Sequence, residues 1–90
     1  MVQFINDDKG YLQWIKKNTQ GFVLNCYRNP TSGYLMLHRA DCFTIVKTPS
    51  NGKSWTSDYR KICSLDPKEL EDWAKQYGTP RGCLRCKPLI

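Results

Sequence analysis

Four residues that bind soft metal ions stand in two pairs, and no other feature of the sequence constrains the fold as strongly. His38 and Cys42 form the first pair, and Cys83 and Cys86 form the second pair after forty intervening residues. Zinc prefers a tetrahedron of cysteine sulfurs and histidine nitrogens, and three cysteines with one histidine are a common closed set. We therefore predict that the fold brings the two pairs together around one Zn²⁺.

The second pair, Cys83-x2-Cys86, has two interpretations. Two cysteines at this spacing can direct both sulfurs at one metal ion from a tight turn, and Gly82 leaves room for such a turn. The alternative is a redox dithiol, which normally opens a helix that lowers the thiol pKa. Pro88 lies two residues after Cys86, so a helix is not expected here. The sequence favours a zinc knuckle.

Cys26 and Cys63 lie outside this set, in segments predicted to be strands. We expect them to be small buried hydrophobic residues. A fifth ligand or a second metal site is the alternative that the sequence leaves open. His38 is the only histidine, and its assignment to the metal leaves no Ser/His/Asp or Cys/His triad. The chain is therefore predicted not to be an enzyme.

Ninety residues suffice for one domain with a modest core, so a single domain is predicted over residues 1–90. Apolar residues at helical spacing predict a first helix over Asp8–Lys17. Two segments of alternating character, 21–27 and 34–39, predict a hairpin, because the turn between them contains proline and glycine. A third strand is predicted over 58–64.

The second predicted helix has the clearest boundaries. Asp66 is a typical N-cap, and Pro67 suits the first helical position. Gly78 is expected to end this helix in a left-handed conformation. An Asn-Gly step in the polar loop 48–53 favours a tight turn. The whole pattern predicts an α+β fold: a helix, a three-stranded antiparallel sheet, a second helix and a C-terminal zinc knuckle.

The formal net charge is +6, which favours nucleic acid, an anionic membrane or an acidic protein as a partner. No segment approaches the roughly 20 apolar residues that span a bilayer, and the N-terminus lacks a signal-peptide pattern. Five cysteines, an odd number, fit a secreted disulfide framework poorly. The lack of a membrane span, of a signal peptide and of a disulfide framework predicts a cytoplasmic protein, and we expect no membrane partner and no small-molecule substrate.

About the last fifty-five residues resemble the Ada-type zinc module. That family combines a C/H-R-x-x-C step, a helix that begins near a Ser/Asp cap, and a closing segment with C-x-x-C-x-P. Here the step is His38-Arg39-Ala40-Asp41-Cys42, the helix covers about 65–77, and 78–88 is the closing segment. The resemblance implies a zinc module that binds DNA.

The chain departs from the DNA-repair version of that family at one position. There, the first cysteine of the step accepts a methyl group from a DNA phosphotriester. His38 stands at this position, and an imidazole can bind zinc but cannot act as the activated thiolate. Methyl transfer is therefore not expected. The chain is more similar to His-containing relatives, which are stand-alone or nuclease-associated zinc-finger modules of bacteria and phages.

Basic residues flank all four predicted ligands and could contact phosphates. Arg60 and Lys61 are expected to extend this basic surface, and Trp55, on a loop, to stack on an exposed base. The predicted nucleic-acid contacts are Arg39, Arg81, Arg85, Lys87, Trp55, Arg60 and Lys61. We therefore predict a zinc-binding module that binds nucleic acid, with DNA favoured. The alternative is a structural zinc domain that mediates protein–protein interaction.

Overall fold

The computed structural model describes residues 1–47, 49 and 52–88, so the Asn-Gly step predicted to form a turn falls partly outside the described residues. The helices are α1 (Asp8–Lys17), α2 (Phe43–Val46) and α3 (Pro67–Ala74). The strands are β1 (Val2–Phe4), β2 (Phe22–Tyr27), β3 (Leu35–Arg39), β4 (Tyr59–Ser64) and β5 (Arg81–Gly82). None of these helices is long and apolar enough to cross a lipid bilayer.

The strands form one sheet in the order β1-β4-β2-β3-β5. All pairs are antiparallel except β3 and β5, which run parallel. The predicted α+β class and the three central strands are confirmed. The prediction of a three-stranded antiparallel sheet is wrong, because short edge strands extend the sheet on both sides. β1 has three residues and β5 has two, so both are too short to show the alternation of apolar and polar residues from which strands are predicted.

Helices cover both faces of the sheet. Consecutive residues of β2 belong to different hydrophobic core clusters. Val23 packs with Tyr11 and Ile15 from α1, whereas Leu24 packs with Leu70 and Ala74 from α3. This explains why four consecutive positions of β2 are buried. A strand that is covered on both faces cannot place its polar residues in solvent, so any polar side chain in it needs a partner within the fold.

Helices α1 and α3 begin at the capping residues that the sequence predicts. The Asp7 carboxylate caps α1 by accepting a hydrogen bond from the Gly10 amide at 2.9 Å. Asp66 caps α3 in the same way through the Lys68 amide at 3.0 Å, and Pro67 occupies the first turn. Each cap satisfies an amide that the helix itself cannot pair. The predicted N-cap of the second helix is confirmed.

The end of α3 differs from the prediction. The helix stops at Ala74, whose carbonyl accepts the Gly78 amide at 2.9 Å. Gly78 does not adopt the left-handed conformation, so that expectation is wrong. A Cβ atom at this position would lie only 3.0 Å from the Cβ of Ser32. Glycine suits this position because two chain segments approach closely and any side chain would press against Ser32.

The Asp8 carboxylate fastens the segment before β4 to the start of α1. It accepts hydrogen bonds from the Ser54 hydroxyl, the Trp55 amide, and both the amide and the hydroxyl of Thr56, at 2.6–3.0 Å. Burial acts to raise the pKa of Asp8, but these hydrogen bonds outweigh it and hold the pKa below its usual value. The network fixes Trp55 against the core.

Candidate metal centre

The fold brings both predicted ligand pairs to the edge of the sheet where β3 and β5 meet. His38 lies in β3, and Cys42 directly precedes α2. Cys83 follows β5, and its amide donates to the Leu37 carbonyl at 2.8 Å, which places it beside His38. One ligand atom from each of His38, Cys42, Cys83 and Cys86 lies within 4.8 Å of the others. The four predicted ligands therefore form a cluster that can hold a metal ion.

The sulfur spacing is that of ligands sharing a metal ion. The Sγ atoms of Cys42 and Cys83 are 3.9 Å apart, and both cysteines are free. In a regular tetrahedron with metal–sulfur bonds of about 2.3 Å, two sulfurs are separated by about 3.8 Å. A disulfide would bring them to about 2.0 Å. Two sulfurs from opposite ends of a long segment thus stand where one metal ion can bind both.

His38 supplies a nitrogen that requires a partner. Its side chain is buried at 5 % exposure, and Nε2 has no hydrogen-bond partner in the described part of the chain. Burial, together with the positive charge of Lys61, lowers the pKa of His38 to about 4, so the ring is neutral at pH 7. A neutral imidazole keeps the lone pair that metal coordination uses. The unpaired Nε2 therefore fits a metal ligand.

The knuckle of Cys83 and Cys86 is a turn with no following helix among the described residues, as expected for a metal knuckle and not for a helix-opening redox dithiol. The Arg39 amide donates to the Sγ atom of Cys86 at 3.2 Å. Burial raises the pKa of Cys86 to about 12, and the neighbouring sulfurs add to the shift. Burial also acts to raise the pKa of Cys83, but backbone amides of Cys86 and Arg85 outweigh it and lower the pKa.

Thr44 is a residue of the site that the sequence analysis missed. Its hydroxyl oxygen lies 3.0 Å from Sγ of Cys42 and 3.4 Å from Nδ1 of His38. It therefore contacts both members of the first ligand pair, and it engages the histidine nitrogen that is opposite the unpaired Nε2. A metal-bound histidine usually gives its second nitrogen a hydrogen-bond partner. A search for hydroxyl side chains close to the ligands in the sequence, based on this rule, could have identified Thr44 two residues after Cys42.

Arg39 holds the knuckle in place. Its guanidinium donates to the carbonyl of Cys86 at 2.9 Å and to the carbonyl of Lys87 at 3.1 Å. Lys87 has a φ of 48°, a left-handed conformation that is uncommon for residues other than glycine, and its amide donates to the Cys83 carbonyl at 2.9 Å. Arg39 was predicted to contact phosphates, but the structure assigns its guanidinium to the protein backbone.

The other predicted nucleic-acid contacts divide into two groups. Arg81, Arg85 and Lys87 are exposed around the knuckle. Trp55 and Lys61 are buried, with exposures of 7 % and 2 %, so the expectation that they lie on the surface is wrong. The hydrogen bonds to the Asp8 carboxylate and the packing of the core draw the segment that carries Trp55 inward.

Arg60 does not extend the basic surface at the knuckle. It lies in β4, which β2 separates from β3. Its guanidinium donates to the Gln3 side chain at 3.2 Å and to the Arg28 carbonyl at 2.9 Å. The prediction that Arg60 and Lys61 continue the cationic surface is therefore wrong, because β2 and β3 lie between β4 and β5, the strand that leads into the knuckle.

Cys26 and Cys63 are fully buried in β2 and β4, as predicted. Burial raises the pKa of Cys26 to about 11 and that of Cys63 to about 12, so both are neutral thiols at pH 7. Neither belongs to the cluster of possible metal ligands found in the described part of the chain. They behave as small hydrophobic side chains of the core.

Comparisons with protein-family models, with curated proteins and with solved structures find no match for this chain. The resemblance to the Ada-type zinc module thus stays a prediction based on the residues themselves.

Metal binding at this centre should release protons. At pH 7 the Cys86 thiol, with a pKa of about 12, must lose its proton to become a ligand, whereas His38, with a pKa of about 4, has none to lose. Each released proton makes the affinity change about tenfold per pH unit, so affinity for Zn²⁺ should fall by at least that factor from pH 8 to pH 7. Calorimetry in buffers of different protonation enthalpy counts the protons, and a count of zero would contradict the site.

Thr44→Val should weaken metal binding about tenfold, because valine keeps the shape but removes the contacts to Cys42 and His38. Competition with a chromophoric chelator measures the change. Thr19→Val is the matched control, since Thr19 is exposed and lies outside the cluster. Equal affinities for the two variants would exclude a role of Thr44 in positioning the ligands.

Proposed function

We propose that this chain is a zinc-stabilised module that binds nucleic acid, with DNA favoured, through basic residues on its metal knuckle. The observation that carries the proposal is the surface of the segment 78–88. This segment contains two ligands of the candidate metal centre and three exposed cations, and it has no acidic residue.

The donor set supports zinc as the metal. Three sulfurs and one imidazole nitrogen are soft or borderline donors, which bind Zn²⁺ in preference to the hard ions Mg²⁺ and Ca²⁺. Four protein donors complete a tetrahedron, and a closed set of this kind leaves no position for water or substrate. We therefore propose a structural zinc ion and a protein that is not an enzyme. Free energy of metal binding would then be part of the free energy of folding.

The three exposed cations Arg81, Arg85 and Lys87 are suited to phosphate contacts. Neither ion pair found in the described residues involves them, because these pairs join the N-terminal amine with Glu69 and Lys75 with Asp72. Their backbone is fixed by β5, by the hydrogen bonds from Arg39 and by the ligands themselves. Because this backbone is already ordered, binding would cost side-chain entropy but little backbone entropy, and the net charge of +6 favours approach to a polyanion.

Protein–protein interaction is the second candidate, and a separate observation favours it. Leu84 is 86 % exposed next to Cys83, and Phe43 is 54 % exposed next to Cys42. Large apolar side chains beside a rigid metal centre are typical anchors for a protein partner.

The triple variant Arg81→Gln, Arg85→Gln, Lys87→Gln tests the first proposal. Fluorescence anisotropy of the zinc-loaded protein with labelled single- and double-stranded DNA and RNA gives the affinity at several salt concentrations. Removing three phosphate contacts should reduce the slope of log affinity against log salt by about 2–3. The matched control is Lys9→Gln, Lys17→Gln, Lys68→Gln, which removes the same charge from exposed sites on α1 and α3.

An equal loss of slope in both triple variants would contradict a specific role for the knuckle. Absence of binding at low salt, with protein that is folded and metal-loaded, would contradict nucleic-acid binding altogether. Replacement of Leu84 and Phe43 by serine would then test the second candidate. A protein partner that the unaltered chain retains in a nuclease-treated pull-down should be lost from the pull-down of this variant.

A further inference from the structure

A cavity of about 310 Å³ adjoins the candidate metal centre. His38 forms part of its wall, so the cavity shares a residue with the metal cluster. The remainder of the wall includes Asn25, Tyr34, Trp55, Tyr59 and Lys61. This size lies at the lower end of the range for sites that bind small molecules.

Lys61 is a buried cation in this wall with no carboxylate partner among the described residues. Its exposure is 2 %, and its ammonium group donates to the Asn25 side-chain oxygen at 2.8 Å and to the Trp55 carbonyl at 2.7 Å. Both acceptors are neutral. The Asp8 carboxylate is instead occupied by the amides and hydroxyls of residues 54–56. The Asp8 carboxylate acts on Lys61 electrostatically, but it forms no ion pair with the ammonium in the described residues. A buried ammonium without a directly bound counter-charge destabilises a fold, and an anion in the cavity would stabilise it.

A chain of hydrogen bonds provides a second donor in the same wall. Asn25 accepts from Lys61 through its oxygen and donates through its nitrogen to the Tyr34 hydroxyl at 3.2 Å. The tyrosine acts there as an acceptor, which leaves its own hydroxyl hydrogen for another partner. An ammonium group uses three donors, and Lys61 has used two. The cavity wall thus offers one N–H from Lys61 and one O–H from Tyr34.

Aromatic rings supply the apolar part of the cavity. Trp55 and Tyr59 contribute to the wall, and the Lys61 ammonium lies 5.3 Å from the centre of the Tyr59 ring. Flat apolar walls with a few convergent polar groups are the usual composition of a small-molecule site.

We propose that this cavity binds a small molecule that carries one aromatic ring and one anionic group, a carboxylate or a phosphate, with Lys61 and Tyr34 as the groups that bind the anion. Burial lowers the pKa of Lys61 to about 8, so the ammonium remains mostly charged at pH 7. None of the exposed cations of the knuckle lines this cavity, but Tyr34 and His38 also line a neighbouring cavity that includes Arg81. The proposal differs from the sequence-based expectation of no small-molecule substrate in that it adds a bound small molecule.

Three probes of similar size test the proposal on the zinc-loaded full chain: benzoate, phenyl phosphate and neutral benzamide. NMR follows the ε-CH₂ signal of Lys61 and the indole signal of Trp55 during each titration. We expect at least one anion to shift both signals and to saturate at one site, while benzamide binds at least tenfold more weakly. The tighter anion identifies the head group. Absence of saturation with both anions, or equal binding of benzamide, would overturn the proposal.

Variants identify the residues that bind the anion. Lys61→Met should weaken binding of the better anion at least tenfold, and Tyr34→Phe should weaken it about tenfold, as expected for one hydrogen bond to a charged group. Lys17→Gln, an exposed lysine on α1, should leave affinity unchanged. If Lys61→Met does not fold, Tyr34→Phe decides the question, because it removes one hydroxyl group. Wild-type affinity in Tyr34→Phe would overturn the assignment of the anion to this wall.

Discussion

The convergence of three sulfurs and one imidazole nitrogen at the β3–β5 edge is the constraint on which the C-terminal part of this protein depends. A strand of two residues, such as β5, pairs too weakly to hold a chain segment by itself. Arg39 holds the knuckle by donating to its carbonyls, and a metal ion bound by Cys83 and Cys86 would fix the segment further. The candidate metal centre and the sheet edge are therefore parts of one structure.

The same cluster is continuous with the hydrophobic core. Cys42 and Cys83 belong to the core cluster that also contains Tyr11 of α1 and Ile45 of α2. The Tyr11 hydroxyl donates to the Ile45 carbonyl at 2.9 Å, which joins the two helices through a buried hydrogen bond. A metal ion that binds all four ligands would thus stabilise α2 and the α1 face of the sheet together. In a chain of ninety residues, whose core is small, such a cross-link contributes a large share of the stability.

Much of this arrangement could be predicted because the signals are local. Caps at Asp66 and Pro67, helical periodicity, and strand alternation located α1, α3 and the three central strands, and the spacing of cysteines and histidine located the ligands. The edge strands were missed because two or three residues show no periodicity. Thr44 was missed because the rule that a metal-bound histidine needs a second partner was not applied to the hydroxyl residues after Cys42; the fold then shows that Thr44 contacts His38.

The burial of Lys61 and Trp55 is the most instructive difference. A lysine in a short strand suggests an exposed surface position, and a tryptophan after a polar loop suggests the same. Both side chains are buried because long-range contacts decide their environment: Asp8 pairs with residues 54–56, and Asn25 accepts the lysine ammonium from the neighbouring strand. The basic surface is consequently smaller than the composition suggests, and the knuckle supplies three of its exposed cations.

The most direct test of this account is a cobalt(II) titration of the metal-free chain, followed by visible absorption and by circular dichroism on the same sample. We predict saturation at one equivalent, with the intense visible bands of tetrahedral Co²⁺ bound to thiolates, and a gain of ordered structure in step with them. Cys42→Ala should abolish both changes, whereas Cys26→Ala, which removes a cysteine outside the cluster, should retain the spectrum of tetrahedral Co²⁺ at one equivalent. A weak octahedral spectrum, or a Cys42→Ala variant that behaves as the unaltered chain does, would contradict the metal centre.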